Sequence, residues 1–127
     1  MIVVDASAAV AGLLNDGPAR TQLATETLCV PHLIDSEIAS ALRRKVLAAE
    51  LTADDGWAAL DAWRRLGVSR YPTFGVLDRI WELRNNVSAY DATYVALAEV
   101  LGCALATADG KLASAPDVRC PIISLPR

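Results

Sequence analysis

Short apolar runs alternate with longer segments of helical periodicity along this chain, and that alternation leaves few folds open to it. Met1–Val4, Leu28–Val30, Cys103–Thr107 and Ile122–Ile123 are apolar runs of strand length. Val68–Tyr71 is a further strand candidate. Residues 7–15 and 18–26 have helical character and are parted by the break Asp16-Gly17-Pro18. In a long helix over 35–50, Ile38, Leu42 and Val46 stand four residues apart on one apolar face. Thr52 with Asp55 marks the start of a helix over 53–66, and Val76, Leu77, Ile80, Trp81 and Leu83 pattern another over 75–85. Asp91–Leu101 is the clearest late helix, closed by Gly102, and a short helix covers 109–115. Strands separated by helices imply a parallel sheet covered on both faces. The expected fold is α/β: a three-layer α/β/α sandwich around a mostly parallel sheet of about five short strands. A chain of 127 residues suits a single domain over 1–127.

Composition removes several functional classes. Hydrophobic residues make up 54% of the chain, too many for a disordered one. The longest apolar stretch, Ala92–Ala108, is interrupted by Glu99 and predicts a helix running into a strand, not a membrane span. No basic residue precedes Asp5, which falls where a secretory leader needs an uncharged core, so a cytoplasmic, soluble protein is expected. Cys29, Cys103 and Cys120 form no C-x-x-C pair and fit small buried hydrophobes in a reducing compartment. His32 is the single histidine, which leaves no basis for a Cys/His zinc site or a histidine-based triad. The net charge is −3, from 15 acids and 12 bases, so a polyanionic ligand would need local basic patches and a cation.

Four acids fall where parallel sheets bind ligands, beyond the carboxyl ends of the strands. Asp5 ends the first strand, Glu37 lies in the first turn of the helix after Pro31, and Asp109 lies two residues past Thr107. Asp91 opens the helix that leads back into the Cys103–Thr107 strand, so its reach to that rim depends on the Asn85–Tyr90 loop. Each acid also has a plain structural explanation. Asp5 or Ser7 could cap a helix, Ser36 or Asp35 could cap the long helix, Ser88 with Asp91 fits a capping box, and Asp109-Gly110 fits a turn. Capping accounts for an acid near a helix start, but not for acids converging on one edge. Carboxylates gathered within a few ångströms repel one another, and a divalent cation removes that cost. Oxygen donors without His or Cys suit Mg²⁺ or Mn²⁺.

The segments MIVVDASA (1–8), PHLIDSEIASAL (31–42), SAYDATYVALA (88–98) and LATADGKLA (105–113) resemble, in order and spacing, the four blocks of the PIN domain, with the VapC-type toxins as the nearest match. The resemblance implies a metal-dependent endoribonuclease, a hydrolase of RNA phosphodiester bonds using Mg²⁺ or Mn²⁺. By position, Asp5, Glu37, Asp91 and Asp109 match the family's acidic cluster, with Asp5 and Asp91 most directly tied to the metal. Ser7 and Thr107 match polar positions beside it and are candidate substrate contacts. Where some members carry a further acid soon after the position of Asp109, this chain has Lys111, Leu112 and Ala113. The resemblance also implies a VapB-like antitoxin covering the site, and a homodimer.

An RNA substrate calls for phosphate contacts. Arg44 lies about two turns beyond Glu37 on the same helix face and could hold a phosphate, with Arg64, Arg65 and Arg70 as weaker candidates. Trp57 and Trp63 are expected in the core first and in an antitoxin groove second; Tyr71 and Phe74 are expected in a packed loop before a base-stacking role. Three other readings remain. A phosphoacceptor receiver domain would share the early Asp and late Lys111, but needs an acid at the end of the third strand. A phosphatase of the haloacid-dehalogenase kind needs an Asp where Ser7 stands. A non-catalytic binding protein would use all four acids as caps.

Overall fold

The computed structural model describes residues 1–127, with strands β1 (Ile2–Val4), β2 (Leu28–Pro31), β3 (Val68–Tyr71), β4 (Ala104–Thr107) and β5 (Ile122–Ser124). They form one sheet in the order β3-β2-β1-β4-β5, and every neighbouring pair is parallel. Val3 of the central strand stands opposite Cys29 on one side and Leu105 on the other. All three residues of β1 are buried, as expected for a strand covered on both faces. The edge strands β3 and β5 are only half-buried, so their sequences carry a weaker apolar signal.

The helices are α1 (Ala6–Leu14), α2 (Pro18–Thr25), α3 (Ile34–Leu47), α4 (Ala53–Arg65), α5 (Leu77–Glu82), α6 (Ala89–Leu101) and α7 (Gly110–Ala113). The first four pack on one another, while α6 crosses β1, β2 and β4 with α5 beside it. Strands 1 to 3 step outward in one direction, and the chain then returns through α5 and α6 to place β4 beside β1. With right-handed crossovers, this reversal puts the two helix groups on opposite faces and makes the three expected layers. It also makes the β1/β4 boundary the point where a crevice opens above the sheet.

Several boundaries differ from the sequence expectation, for tertiary reasons. The long helix stops at Leu47 instead of continuing to 50, and Ala49 takes a left-handed conformation with φ 59°. That turn lets Leu51 pack on the core and hands the chain to the Thr52 cap of α4. The segment 75–85 splits into a 3₁₀ turn, Phe74–Val76, and the short α5. Helix α6 begins at Ala89, two residues early, because Ser88 caps it. Pro31 is the last residue of β2, where its missing N–H is tolerated. Gly102 closes α6 at φ 67°, and Gly12 is demanded by packing. A Cβ at Gly12 would lie 2.6 Å from Leu23 Cδ1 and 3.1 Å from the backbone of Ala19, so a side chain there would force Leu23 to move and press α1 against α2.

The tryptophan pair divides. Trp63 is buried and donates from Nε1 to Asp35 Oδ1 at 2.8 Å, whereas Trp57 is exposed, with the Arg64 guanidinium 5.5 Å from its ring centroid. Phe74, expected in a packed loop, is exposed. The cysteines are free; Cys29 and Cys120 are buried and Cys103 is half-buried. No helix is long and apolar enough to cross a membrane.

Candidate metal centre

Asp5 sits where β1 stops and α1 starts, 5% exposed. It caps α1 by accepting from the Ala8 N–H at Oδ1, 2.9 Å. Oδ1 also accepts from the Ser7 hydroxyl at 2.6 Å, and Oδ2 accepts from the Thr107 hydroxyl. The two hydroxyls are in turn acceptors: Ser7 Oγ from the Ala108 N–H at 2.9 Å, Thr107 Oγ1 from the Asp109 N–H at 3.0 Å. Each hydroxyl has one proton and spends it on Asp5, so the 3.3 Å approach of Ser7 Oγ to Thr107 Oγ1 holds no further hydrogen bond. Ser7 and Thr107, expected as substrate contacts, therefore lock Asp5 in place and tie the end of β1 to the end of β4. A carboxylate offers about four lone-pair sites, and three are used here, so one on Oδ2 is left for a further partner.

Glu37 lies in the first turn of α3 and accepts from the Tyr94 hydroxyl at Oε1, 2.5 Å. Tyr94 is 1% exposed and stands one turn after Asp91 on α6. Burial first, then the hydrogen bond to Glu37, pushes its ionisation far above the ordinary phenol range, so it remains a donor. Sequence reasoning missed this residue. Its only signal was a hydroxyl within the apolar run ATYVALA, one helical turn after a candidate ligand. Asp91 is the third residue of α6, and its N–H donates to Ser88 Oγ at 3.1 Å. Asp109 caps α7 by accepting from the Lys111 N–H at 3.0 Å. Asp35 and Ser36 do not cap α3, whose N-cap Leu33 has no side-chain bond; Asp35 instead takes a two-bonded Arg70 at 2.8 and 2.9 Å. Arg64 and Arg65 pair with Asp61, so each of these three weaker phosphate candidates already has a carboxylate partner.

The electrostatics show what this arrangement costs. The Glu37 carboxyl is pushed up by burial; the Tyr94 hydrogen bond opposes that, and the charges of Asp91 and Asp5 add to it. Asp91 is pushed up by burial, then by the charges of Asp109 and Asp5. The acids are electrostatic neighbours, yet no three Asp, Glu, His or Cys side chains stand close enough to enclose an ion. The expected convergence is thus partial: the acids feel one another's charge without closing into a cluster. The donor set fits a hard cation, since all of it is carboxylate oxygen, and one oxygen each of Glu37 and Asp109 has no protein donor. Arg44 lies further along α3, lining the same groove as Ser7 and Glu37.

Two expectations follow. A carboxyl raised above its unfolded value makes the folded state bind more protons, so stability falls as pH rises through that window. In EDTA, the melting temperature is expected to rise as pH falls from 7 toward the ordinary carboxylate range near 4. Glu37→Gln combined with Asp91→Asn flattens that rise in a thermal melt. The second concerns Tyr94→Phe, which removes one hydrogen bond and leaves the ring packing. Outer partners of metal ligands are worth about 10- to 100-fold in affinity or activity. The variant is expected to lose Mn²⁺ affinity in that range, measured by titration calorimetry, while melting within a few degrees of wild type.

Comparison with known proteins places this geometry. The PIN domain family model matches residues 2–118. The chain is 61% identical over 127 residues, the full length of both, to Ribonuclease VapC9 of Mycobacterium tuberculosis. PAE2754 from Pyrobaculum aerophilum shares its fold with a TM-score of 0.73 at 25% identity, over 95% of this chain and 81% of that one. VapBC2 from Rickettsia felis, bound to a DNA fragment from their promoter, gives 0.69 at 11% identity, over 98% and 99%. β3 ends at Tyr71 with no acid, so the phosphoacceptor of a receiver domain is missing. With the family model spanning nearly the whole chain and a full-length VapC relative at this identity, the chain belongs to the PIN-domain family, in its VapC-type branch.

Proposed function

We propose that this protein is a divalent-metal-dependent endoribonuclease, acting in the cytoplasm as the toxin of a type II toxin–antitoxin pair. The observation that carries the reading is the acid rim itself: Asp5 fixed by Ser7 and Thr107, Glu37 fixed by Tyr94, and the Glu37 and Asp91 carboxyls pushed up by burial and by neighbouring acids. Asp5 and Asp109 cap helices. Glu37 satisfies the buried Tyr94 hydroxyl with one oxygen and leaves the other free, and no protein donor reaches the Asp91 carboxylate.

A bound Mg²⁺ or Mn²⁺ supplies a Lewis acid that activates water and neutralises charge on the phosphodiester. Asp5 and Asp91 would hold it directly, and Glu37 and Asp109 would complete the shell directly or through water. Ser7 and Thr107 fix the Asp5 carboxylate from two sides, and Tyr94 fixes Glu37, so the ligands are oriented before substrate arrives. With such an ion bound, hydrolysis of the RNA phosphodiester would need only water as the nucleophile, with no covalent enzyme intermediate. The partner is a VapB-like antitoxin. Its apolar segment suits the cleft of about 430 Å³ between α3 and α4, where the exposed Trp57 stands beside Leu60. A homodimer accompanies this reading through the family alone.

The test incubates purified protein, freed of any partner, with total RNA in Mg²⁺, Mn²⁺ or EDTA. Cleavage is expected in both metals and absent in EDTA. Cleavage that persists in EDTA would overturn the mechanism.

A further inference from the structure

A groove of about 600 Å³ between α1 and α3 opens at the acid rim and runs away from it. Ser7, Glu37 and Arg127 line its rim end; Arg44, Lys45 and Glu50 line it further along. The helix rise of about 1.5 Å per residue puts Arg44 and Lys45 about 10 and 12 Å beyond Glu37 along α3. None of Arg44, Lys45 and Arg127 is held in a close ion pair, although Glu37 and Glu50 share the groove with them. Arg44 donates to the Ser40 hydroxyl at 3.0 Å and pairs with no carboxylate. Arg127 is brought to the rim because the Leu125 N–H donates to Thr107 O at 2.8 Å; its Nε then donates to Ala108 O at 3.1 Å, again without a carboxylate partner. Lys45 is loosely paired, 3.9 Å from an exposed Glu50. Arg64, Arg65, Arg70 and Arg79, by contrast, each sit within 3.0 Å of a carboxylate.

The shape of the groove narrows what this charge can hold. A groove of this volume is far smaller than a nucleic-acid duplex, so the charge along it can meet one strand at a time. No aromatic side chain lines the groove and its apolar lining is mostly alanine, so bases find no stacking platform there. Contacts of this kind follow phosphates and carry no sequence information.

We propose that the α1–α3 groove is the track that holds single-stranded RNA beyond the scissile bond, with Lys45 and Arg127 joining Arg44 as its phosphate contacts. The proposal rests on the ribonuclease reading above. It places the cutting site's sequence preference elsewhere, since this track grips any strand.

The test measures fluorescence anisotropy of a labelled single-stranded oligouridylate and of an RNA duplex of equal length, across a salt series in Mg²⁺. The parent is the Asp91→Asn protein, in which cleavage is suppressed. Lys45→Ala and Arg127→Ala are each expected to weaken single-strand binding severalfold and to reduce the salt slope by about 0.7. The pair together reduces it by about twice that, while Arg43→Ala, on the same helix but outside the groove, leaves it unchanged. Parental affinity and slope in Lys45→Ala and Arg127→Ala overturn the track, as does an equal loss in Arg43→Ala, or duplex binding as tight as single-strand binding and equally weakened. A groove built for a protein segment gives the first of these outcomes. Wild-type cleavage of RNA alongside any of them leaves the ribonuclease reading standing; neither cleavage by wild type nor binding by the parent overturns both.

Discussion

Asp91→Asn is expected to reduce RNA cleavage about a thousandfold and to leave the ion-free protein as stable as wild type or more so. The two effects share one cause. In the folded chain the Asp91 carboxylate is held against burial and against the charges of Asp109 and Asp5. Removing its charge relieves that repulsion, so the melting temperature in EDTA holds or rises. A catalytic metal contributes several kcal/mol to transition-state stabilisation, and at about 1.4 kcal/mol per tenfold its loss is on the order of a thousandfold. Asp5→Asn is expected to lose as much activity but to melt lower, by about 1 kcal/mol of stability. Asp5 accepts from Ala8 N–H, Ser7 and Thr107; an amide cannot accept on both sides, and one hydroxyl must turn. RNA cleavage with thermal melts in EDTA separates the two variants. An Asp91→Asn protein that cuts RNA at the wild-type rate, or one that melts well below it, would contradict this account.

The second large effect is on stability, through Arg79. Its side chain, 12% exposed, donates to both oxygens of Glu99, at 2.7 and 3.2 Å, to Glu82, and to the backbone and side chain of Asp117. The guanidinium thus fastens α5 and the 117 loop to the far end of α6, the helix that carries Asp91 and Tyr94. Glu99 is 15% exposed at its side chain, so Arg79→Ala strands a nearly buried charge. Breaking such a pair costs about 3 kcal/mol, read as a lower urea midpoint. The sign of its pH dependence follows from Glu99. Burial raises its carboxyl, but Arg79 and the Arg119 N–H outweigh that and hold it below the usual range. A lowered carboxyl contributes stability above its unfolded value and loses it as pH falls through the folded value. The gap between wild type and Arg79→Ala is therefore widest at neutral pH and closes below about pH 4. Glu99→Gln in the Arg79→Ala background restores part of the loss. Cleavage is expected to fall less than in Asp91→Asn, because the helix carrying Asp91 is loosened while its carboxylate remains.

The core was legible because it is local. Buried runs such as IVV in β1 and the four-residue spacing of Ile38 and Leu42 in α3 follow from covering a sheet on both faces, and periodicity records that in neighbouring residues. The edge strands were faint because solvent on one side relaxes the apolar pattern. Trp57 and Trp63 stand six positions apart on one helix and have opposite environments, because only Trp63 meets a partner, Asp35, from another element.

The four acids were legible as candidates, since each ends a strand or opens a helix. Their working arrangement was not. The bonds that hold Asp5 and Glu37 join residues 102 and 57 positions apart. No propensity or spacing encodes a phenol on α6 meeting a carboxylate on α3, or two hydroxyls spending their only protons on one aspartate. By itself the sequence determined the parallel α/β layers and which carboxylates stand at strand ends, because burial acts on adjacent residues. The tertiary structure alone decided which of them share a field and what props them there, because hydrogen bonds and charge repulsion act through space between segments the chain keeps far apart.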